Sequence, residues 1–346
     1  VLRRRVGAAL MVGVALSVSV ACSPDAPSTA SSTSSSPSPT PTPPPTFPWP
    51  LTGVLTENPV DRPALAVKVE NSVDARPQTG LGAADMVWEE VVEGGITRYV
   101  AVYHSTLPAE IGPVRSVRPM DPAIAAPLHG LFAFSGGQPV FVSAVQAAGL
   151  RVLSQDAGAD GFHRLSTRRA PHNVYADPQA LLAQADADHQ HSPAGQFVFA
   201  VAPEQPTALA AGTPAAGVQL TLSGVSHPQW TWSAPDGAWL RAEGTTPAVE
   251  ADGTRLRATN VVVLRVAVVN TRYSDPAGNP VPETQMVGTG EALVATGGHT
   301  VAATWTKNSI ADPVLLAGAD GMPITLAPGN TWVELVPNRT GAVVTG

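Results

Sequence analysis

The stretch GPVRSVRPMD, residues 112–121, holds Arg115 and Arg118 three apart between Gly112-Pro113 and Pro119. A straight strand would send residues i and i+3 to opposite faces, so a bend at these breakers is what lets the two guanidinium groups approach each other. Two such groups repel unless an anion lies between them. That anion is either internal, from Glu89, Glu93 or Asp121, or external, as a ligand carboxylate or phosphate gripped by arginine forks. A second basic cluster, HRLSTRRAPHNVY at 163–175, adds Arg164, Arg168, Arg169 and His172, with Asn173 as a neutral donor and acceptor. Of the 20 basic residues only Lys68 and Lys307 are lysine, so nearly every positive charge is a planar fork suited to carboxylate or phosphate.

Acid/base chemistry has one candidate. The arms DMVWEEVVE and ITRYVAVYH flank Gly94-Gly95 and read as a two-residue β-hairpin, in preference to a helix with Ala84, Val87, Trp88, Val91 and Val92 on one stripe. In that register Val91 faces Arg98, Glu89 faces Val100 and Asp85 faces His104, with Glu93 beside them and Arg98 between Glu89 and Glu93. The other side carries Met86, Trp88, Val92, Tyr99 and Tyr103, with Glu90 paired to an arginine or a tyrosine hydroxyl. Two readings of the acidic strip stand open. It is a solvated sheet face with cross-strand pairs, or Glu89 or Asp85 works with His104 in a cleft. Ser135 in FAFSGGQP lies at a strand-to-helix turn and lacks the G-x-S-x-G pattern because Ala133 takes the first glycine position. DADHQH at 186–191 has metal-binding side chains but ends a helix, which reads as solvation. No zinc, Walker or dinucleotide motif is present in the sequence, so no metal or cofactor is expected.

These residues sit in a chain of 346 residues, 44% hydrophobic and 14% charged, enough for two ordinary cores. Its net charge of −7 argues against nucleic acid as a partner. Arg3–Arg5, an apolar run over Val6–Val20 and small residues before the single cysteine, Cys22, resemble a bacterial lipoprotein signal spanning 1–22, with Ser19 where such signals usually carry Leu. Lipidated Cys22 would tie the chain to the membrane. Residues 23–50 are nearly all Ser, Thr, Pro and Ala, a tether able to reach roughly 80 Å at polyproline rise.

From residue 51 the chain reads as α+β. A mixed, layered β/α domain over 51–205 has strands at Ala64–Val69 and in the hairpin arms, helices at 139–150 and 178–188, and a closing strand at 197–202. A linker at 203–217 leads to a mainly antiparallel β domain over 215–346, with strands in VQLTLSG, QWTWS, AWLRAE, NVVVLRVAVVN, MVGTGEALVA, TVAATWTKN and TWVELV.

Long stretches resemble the YerB-like bacterial lipoproteins. RPALAVKVENSVDARPQTGLGAADMVWEEVVEGGITRYVAVYHS, GPVRSVRP, SGGQP and RRAPHNVY are similar to that family's N-terminal signature domain; NVVVLRVAVV, GTGEALVATGG, TWTKN and LAPGNTWVELVP are similar to its C-terminal one. The resemblance implies a lipid-anchored, exported protein with a mixed β/α N-terminal part, and supplies no substrate or catalytic residue. The expected function is therefore that of a non-catalytic, extracytoplasmic envelope protein. It would bind an anionic cell-wall ligand or a partner protein through Arg98, Arg115, Arg118, Arg168, Arg169, His172 and Asn173. The alternatives are a wall-acting hydrolase or lyase with Glu89 as general acid/base assisted by His104 or His172, and a structural spacer docked on another envelope protein.

Overall fold

The β-branched runs pair into one large sheet. The first segment supplies β1 (Leu65–Glu70), β2 (Met86–Val91), β3 (Thr97–Tyr103), β4 (Leu131–Phe134) and β5 (Arg151–Ser154). The second supplies β6 (Gly217–Thr221), β7 (Pro228–Ser233), β8 (Ala238–Glu243), β9 (Asn260–Ser274) and β10 (Pro280–Gln285). β11 (Gly288–Thr296), β12 (His299–Lys307), β13 (Thr331–Pro337) and β14 (Ala342–Thr345) follow. The computed structural model describes residues 45–202 and 204–346. Cys22, the signal region 1–22 and residues 23–44 of the expected tether lie outside them. The tether's last residues are built into the fold, with Phe47–Pro48 paired to Leu55–Thr56.

The main path of the 12-stranded sheet runs Thr213–Pro214, β12, β11, β9, β13, β2, β3, β1, β4, β5. β13 pairs in parallel with both β9 and β2, setting Glu334 opposite Glu89. Segments 51–205 and 215–346 thus share one sheet, and Pro44–Gly346 forms one compact unit. β1, β4 and β5 are mutually parallel, and β1 and β4 are buried along their whole length, which suits the apolar LAV and LFAF runs they carry. Strands predominate, and the helices α1 (Asp121–Ala125), α2 (Pro139–Ala147), α3 (Pro178–Leu182) and α4 (Thr207–Ala211) are short.

Side-chain alternation sorts the core into two clusters. On one face Ala66, Met86, Trp88, Val100 and Val102 meet Ile124 of α1 and Phe141 and Val145 of α2. On the other, Val67, Val87, Tyr99 and Tyr103 meet Trp230 and Trp239 of the six-stranded sheet built on β8, β7, β6 and β14.

Four sequence expectations change. The β2–β3 connection is a three-residue loop, Glu93-Gly94-Gly95, closed by Val92 N donating to Ile96 O at 2.8 Å, with φ of 68° and 74° at the two glycines. The extra loop residue slips the register by one. Glu90 therefore faces Arg98, Glu89 faces Tyr99 and Val91 faces Thr97. The helix expected over 178–188 stops at Leu182, beyond which Gln184 and Ala185 close i,i−3 turns. The closing strand of the first segment shrinks to Val198–Phe199 and pairs in parallel with Thr325–Leu326 of the second. α4 occupies the expected linker.

The shared sheet carries a direct test. A fragment of residues 51–205 leaves β2 with an unpaired edge and Glu89 without its arginine (below), so it should show no cooperative urea transition by near-UV circular dichroism. The full chain should unfold in one transition. A fragment that melts cooperatively would make the N-terminal segment an independent folding unit.

Candidate functional site

The corrected register gathers the basic residues at one edge of the sheet. β1 ends at Glu70, β4 runs out into Ser135, and the antiparallel β3 starts with Thr97 and Arg98, opposite Glu70. Across these ends runs the segment 113–118. Arg115 N donates to Lys68 O (2.8 Å), Ser135 N to Arg115 O (3.1 Å), and Val117 N to Gly136 O (2.9 Å). The bend predicted at Gly112-Pro113 thus becomes a backbone bridge between β1 and β4, at the carboxyl ends of parallel strands where open sheets commonly take ligands.

Arg98, Arg115 and Arg118 converge there, and they are unequally satisfied. Arg118 Nε sits 2.7 Å from Glu93 Oε1, while its Nη1 reaches Val117 O at 2.9 Å. Arg115 Nε lies 3.3 Å from Glu70 Oε2, a carboxylate shared with His172 Nδ1 at 2.9 Å. Arg98 is 5% exposed, donates Nη1 to Ser116 O at 2.7 Å, and leaves its buried Nε without a partner. Among the described residues no carboxylate lies within ion-pair distance of it. Burial, then repulsion from Arg118 and Arg115, lowers its pKa to about 9.

Beneath this edge, on the same face, Lys68 Nζ binds both Glu90 and Asp121 Oδ1, all three side chains being fully buried. The partner of Glu90 is this lysine, in place of the arginine or tyrosine hydroxyl expected from the sequence. One ammonium cannot neutralise two carboxylates. Burial and the adjacent Asp121 raise Glu90 to about 8, and its Oε2 has no hydrogen bond. Asp121 Oδ2 in turn accepts from Arg118 N at 2.5 Å, which ties the lysine cluster to the arginine edge.

Glu89 points to the opposite face, into a cluster centred on a residue not singled out in the sequence. Arg241 of β8 is fully buried and donates Nη2 to Glu89 Oε2 (2.5 Å), Nη1 to Glu334 Oε1 (2.7 Å), and Nη2 to Glu243 Oε1 (2.8 Å). Its guanidinium carbon lies 4.8 Å from the Trp332 ring centroid, 5.3 Å from Trp230 and 5.5 Å from Tyr99. Burial opposes its charge, but Glu89 and the other acids hold it charged well above the ordinary arginine value. Burial also drives Glu89 far above the usual carboxylate range, against the pull of Arg241 and with a push from Glu334. Glu89 Oε1 is taken by Asn71 Nδ2 (3.1 Å) and Thr97 Oγ1 (2.5 Å), so both oxygens are committed. The signal for Arg241 was the alternation Trp239-Arg241-Glu243 in AWLRAE, which sets an arginine in register with a buried tryptophan.

The remaining expected residues separate. His104 lies five positions along β3 from Tyr99, the residue opposite Glu89, or roughly 17 Å at strand rise. The sheet therefore does not form the pair Glu89–His104. Nor does Asp85 face the His104 ring: its carboxylate accepts from the backbone N–H groups of His104 (2.6 Å) and Ser105 (2.7 Å). The His104 ring meets Arg62 O at 3.0 Å, and burial, then the Arg62 charge, lowers it to about 4. In the second basic cluster, Arg168 holds the carbonyls of Asp74 and Ala75 at 3.2 and 2.6 Å. Asn173 Oδ1 accepts from Arg164 at 2.8 Å, and Arg169 is exposed. Only His172 joins the first cluster. His189 and His191 pair with Asp186 and Asp61, and no metal-binding group of three or more such residues occurs among the described residues. No helix there is long and apolar enough to cross a membrane.

Two measurements probe these clusters. Arg241→Ala leaves three buried carboxylates without their central cation, and chemical denaturation should show a loss of about 3–5 kcal/mol. For Glu90 the folded pKa exceeds the unfolded one, so the folded state keeps a proton that the unfolded state releases. That contribution is fully present below about pH 4.5 and is lost as pH rises to about 8. Glu90→Gln should gain stability relative to wild type across this window, read from urea midpoints at successive pH values, and a pH-independent difference would contradict the buried proton.

Comparison with known proteins agrees with the sequence resemblance. The chain is 36% identical over 128 residues to "Putative lipoprotein YerB" of Bacillus subtilis (strain 168), a match covering 36% of this chain and 39% of that protein. The chain thus spans about two-fifths of the length of that relative. The crystal structure of YerB protein from Bacillus subtilis has the same fold, with a TM-score of 0.73 at 21% identity over 86% of this chain and 99% of the other. Residues 51–191 match the N-terminal domain, and residues 218–333 the C-terminal domain, of the family described as protein of unknown function (DUF3048), and the chain belongs to that family.

Proposed function

We propose that this is a lipid-anchored, extracytoplasmic binding protein, non-catalytic, that takes an anionic group of a cell-wall polymer at the edge formed by Arg98, Arg115 and Arg118. One observation carries the reading. Arg98 is an almost fully buried guanidinium with no carboxylate in ion-pair distance among the described residues, crowded by two further arginines. A buried charge left in that state is costly, and an incoming carboxylate or phosphate would relieve it through bidentate contacts. Arg115 and Arg118 are 23% and 12% exposed, which leaves them within reach of such a group, and His172 lies beside them on Glu70. The lipoprotein name borne by the Bacillus relative and the signal-like segment ending at Cys22 support the anchored, exported location. Glu89 has no free oxygen and is fully buried, so nothing in the geometry favours the hydrolase alternative.

Thermal unfolding with poly(glycerol phosphate) as the anionic probe tests the proposal. Saturating polymer should raise the melting temperature by several degrees, the effect of about 2.7 kcal/mol at one hundred times Kd. The double variant Arg115→Ala, Arg118→Ala strips Glu70 and Glu93 of their arginines and should melt at a lower temperature without polymer, and relative to its own baseline it should lose the polymer-induced shift. A variant that no longer folds would show these arginines to be structural, and an unchanged shift would place polymer binding elsewhere.

A further inference from the structure

We infer that a second site, distinct from the arginine edge, receives the C-terminal end of a short peptide in a cavity between the two segments. The cavity has a volume of about 400 Å³, within the range of small-ligand sites, and its walls are mainly apolar: Val73, Pro247, Val249 and Leu256. It is built from both halves of the chain. Arg76, Gln78 and Tyr99 line it from the first, Glu243 from the second. Ala251 N donates to Gln78 O at 2.8 Å, and Arg76 Nη2 meets Glu243 Oε2 at 3.0 Å, so the walls are tied across the junction.

Two polar side chains open into this apolar space with complementary unused capacity. Arg76 Nε and Gln78 Nε2 both donate to Asn71 Oδ1, at 2.9 and 3.0 Å, which brings the two side chains together on one atom. Gln78 Nε2 also donates to Glu70 O at 3.0 Å, and since both of its partners are acceptors the amide orientation is determined. Its oxygen and the Nη1 of Arg76 have no hydrogen-bond partner among the described residues, although Gln78 is only 3% exposed. A charged donor beside a neutral acceptor matches a carboxylate followed by an amide N–H, the pattern at the end of a peptide chain. Small aliphatic side chains of such an end would lie against the proline and valine walls. Glu243 does not compete for the carboxylate's place: its Oε1 accepts from Arg241 and from Tyr99 OH at 3.2 Å, its Oε2 from Arg76, and it stays ionised as part of the buried cluster. Arg76 is then a bridge between an internal carboxylate and an external one.

Calorimetric titration of the full chain with N-acetyl-alanyl-alanine and with its C-terminal amide tests this. The acid should bind with Kd of about 1 mM or tighter, ordinary for a ligand of that size, and the amide at least about tenfold more weakly. Arg76→Gln should weaken the acid by a similar factor and erase the difference between acid and amide. Because Arg76 also ties two segments, a second variant is needed: Thr246→Trp, at an exposed position on the cavity rim, should block both ligands without altering the melting temperature. Equal affinity for acid and amide, absence of binding by the wild type, or binding untouched by Thr246→Trp would each overturn the assignment. Poly(glycerol phosphate) binding at the arginine edge should be unaffected by Thr246→Trp, which separates this site from the other.

Discussion

The structure turns on one buried guanidinium. Arg241 comes from β8 in the second segment, Glu89 from β2 in the first, and Glu334 from β13, the strand that joins them. Removing four charged groups from water is expensive, and the arrangement recovers that cost only because the fork reaches three carboxylates at once while tryptophan and tyrosine rings face its π-surface. The charges nevertheless do not balance. Arg241 and Arg76 supply two positives against Glu89, Glu243 and Glu334, and burial drives Glu89 well above the ordinary carboxylate range against the pull of Arg241. This geometry fixes the parallel register of β13 on β2, since a slip of one residue would send Glu334 to the wrong face.

Glu90, the next residue along, repeats the motif on the other face. There Lys68 stands against Glu90 and Asp121, again one positive short, and burial with the neighbouring Asp121 raises Glu90 to about 8. Consecutive acids in a strand buried on both faces must serve two separate clusters. That is what the pair Glu89-Glu90 does, one under the six-stranded sheet and one under the helices.

Much of the fold was legible in the residues. The β-branched runs became strands, Pro139 opened α2, and the bend at Gly112-Pro113 did bring Arg115 and Arg118 to a common edge. What failed was register. Gly94-Gly95 satisfies a two-residue turn as well as the last two positions of a three-residue loop, and only the packing of Glu90 over Lys68 and of Glu89 under Arg241 distinguishes them. That information lies 22 and 152 residues away. The same distance hid the cavity between the segments, whose walls come from residues near 75 and near 248. Arg168 misled for a simpler reason: its partners are backbone carbonyls, which every sequence contains.

The two faces of β2 also explain why an unmatched positive charge appears at the arginine edge. Arg98 stands directly across the strand pair from Glu90, the natural counter-charge for it. While Glu90 holds its proton, that counter-charge is missing, and the buried guanidinium donates to Ser116 O beside Arg115 and Arg118. The deficit created in the core by giving one lysine two acids thus reappears at the sheet edge as an arginine without a partner. An anion arriving there would sit above a neutral carboxyl instead of a charged one, which removes the repulsion that an ionised Glu90 would exert on it.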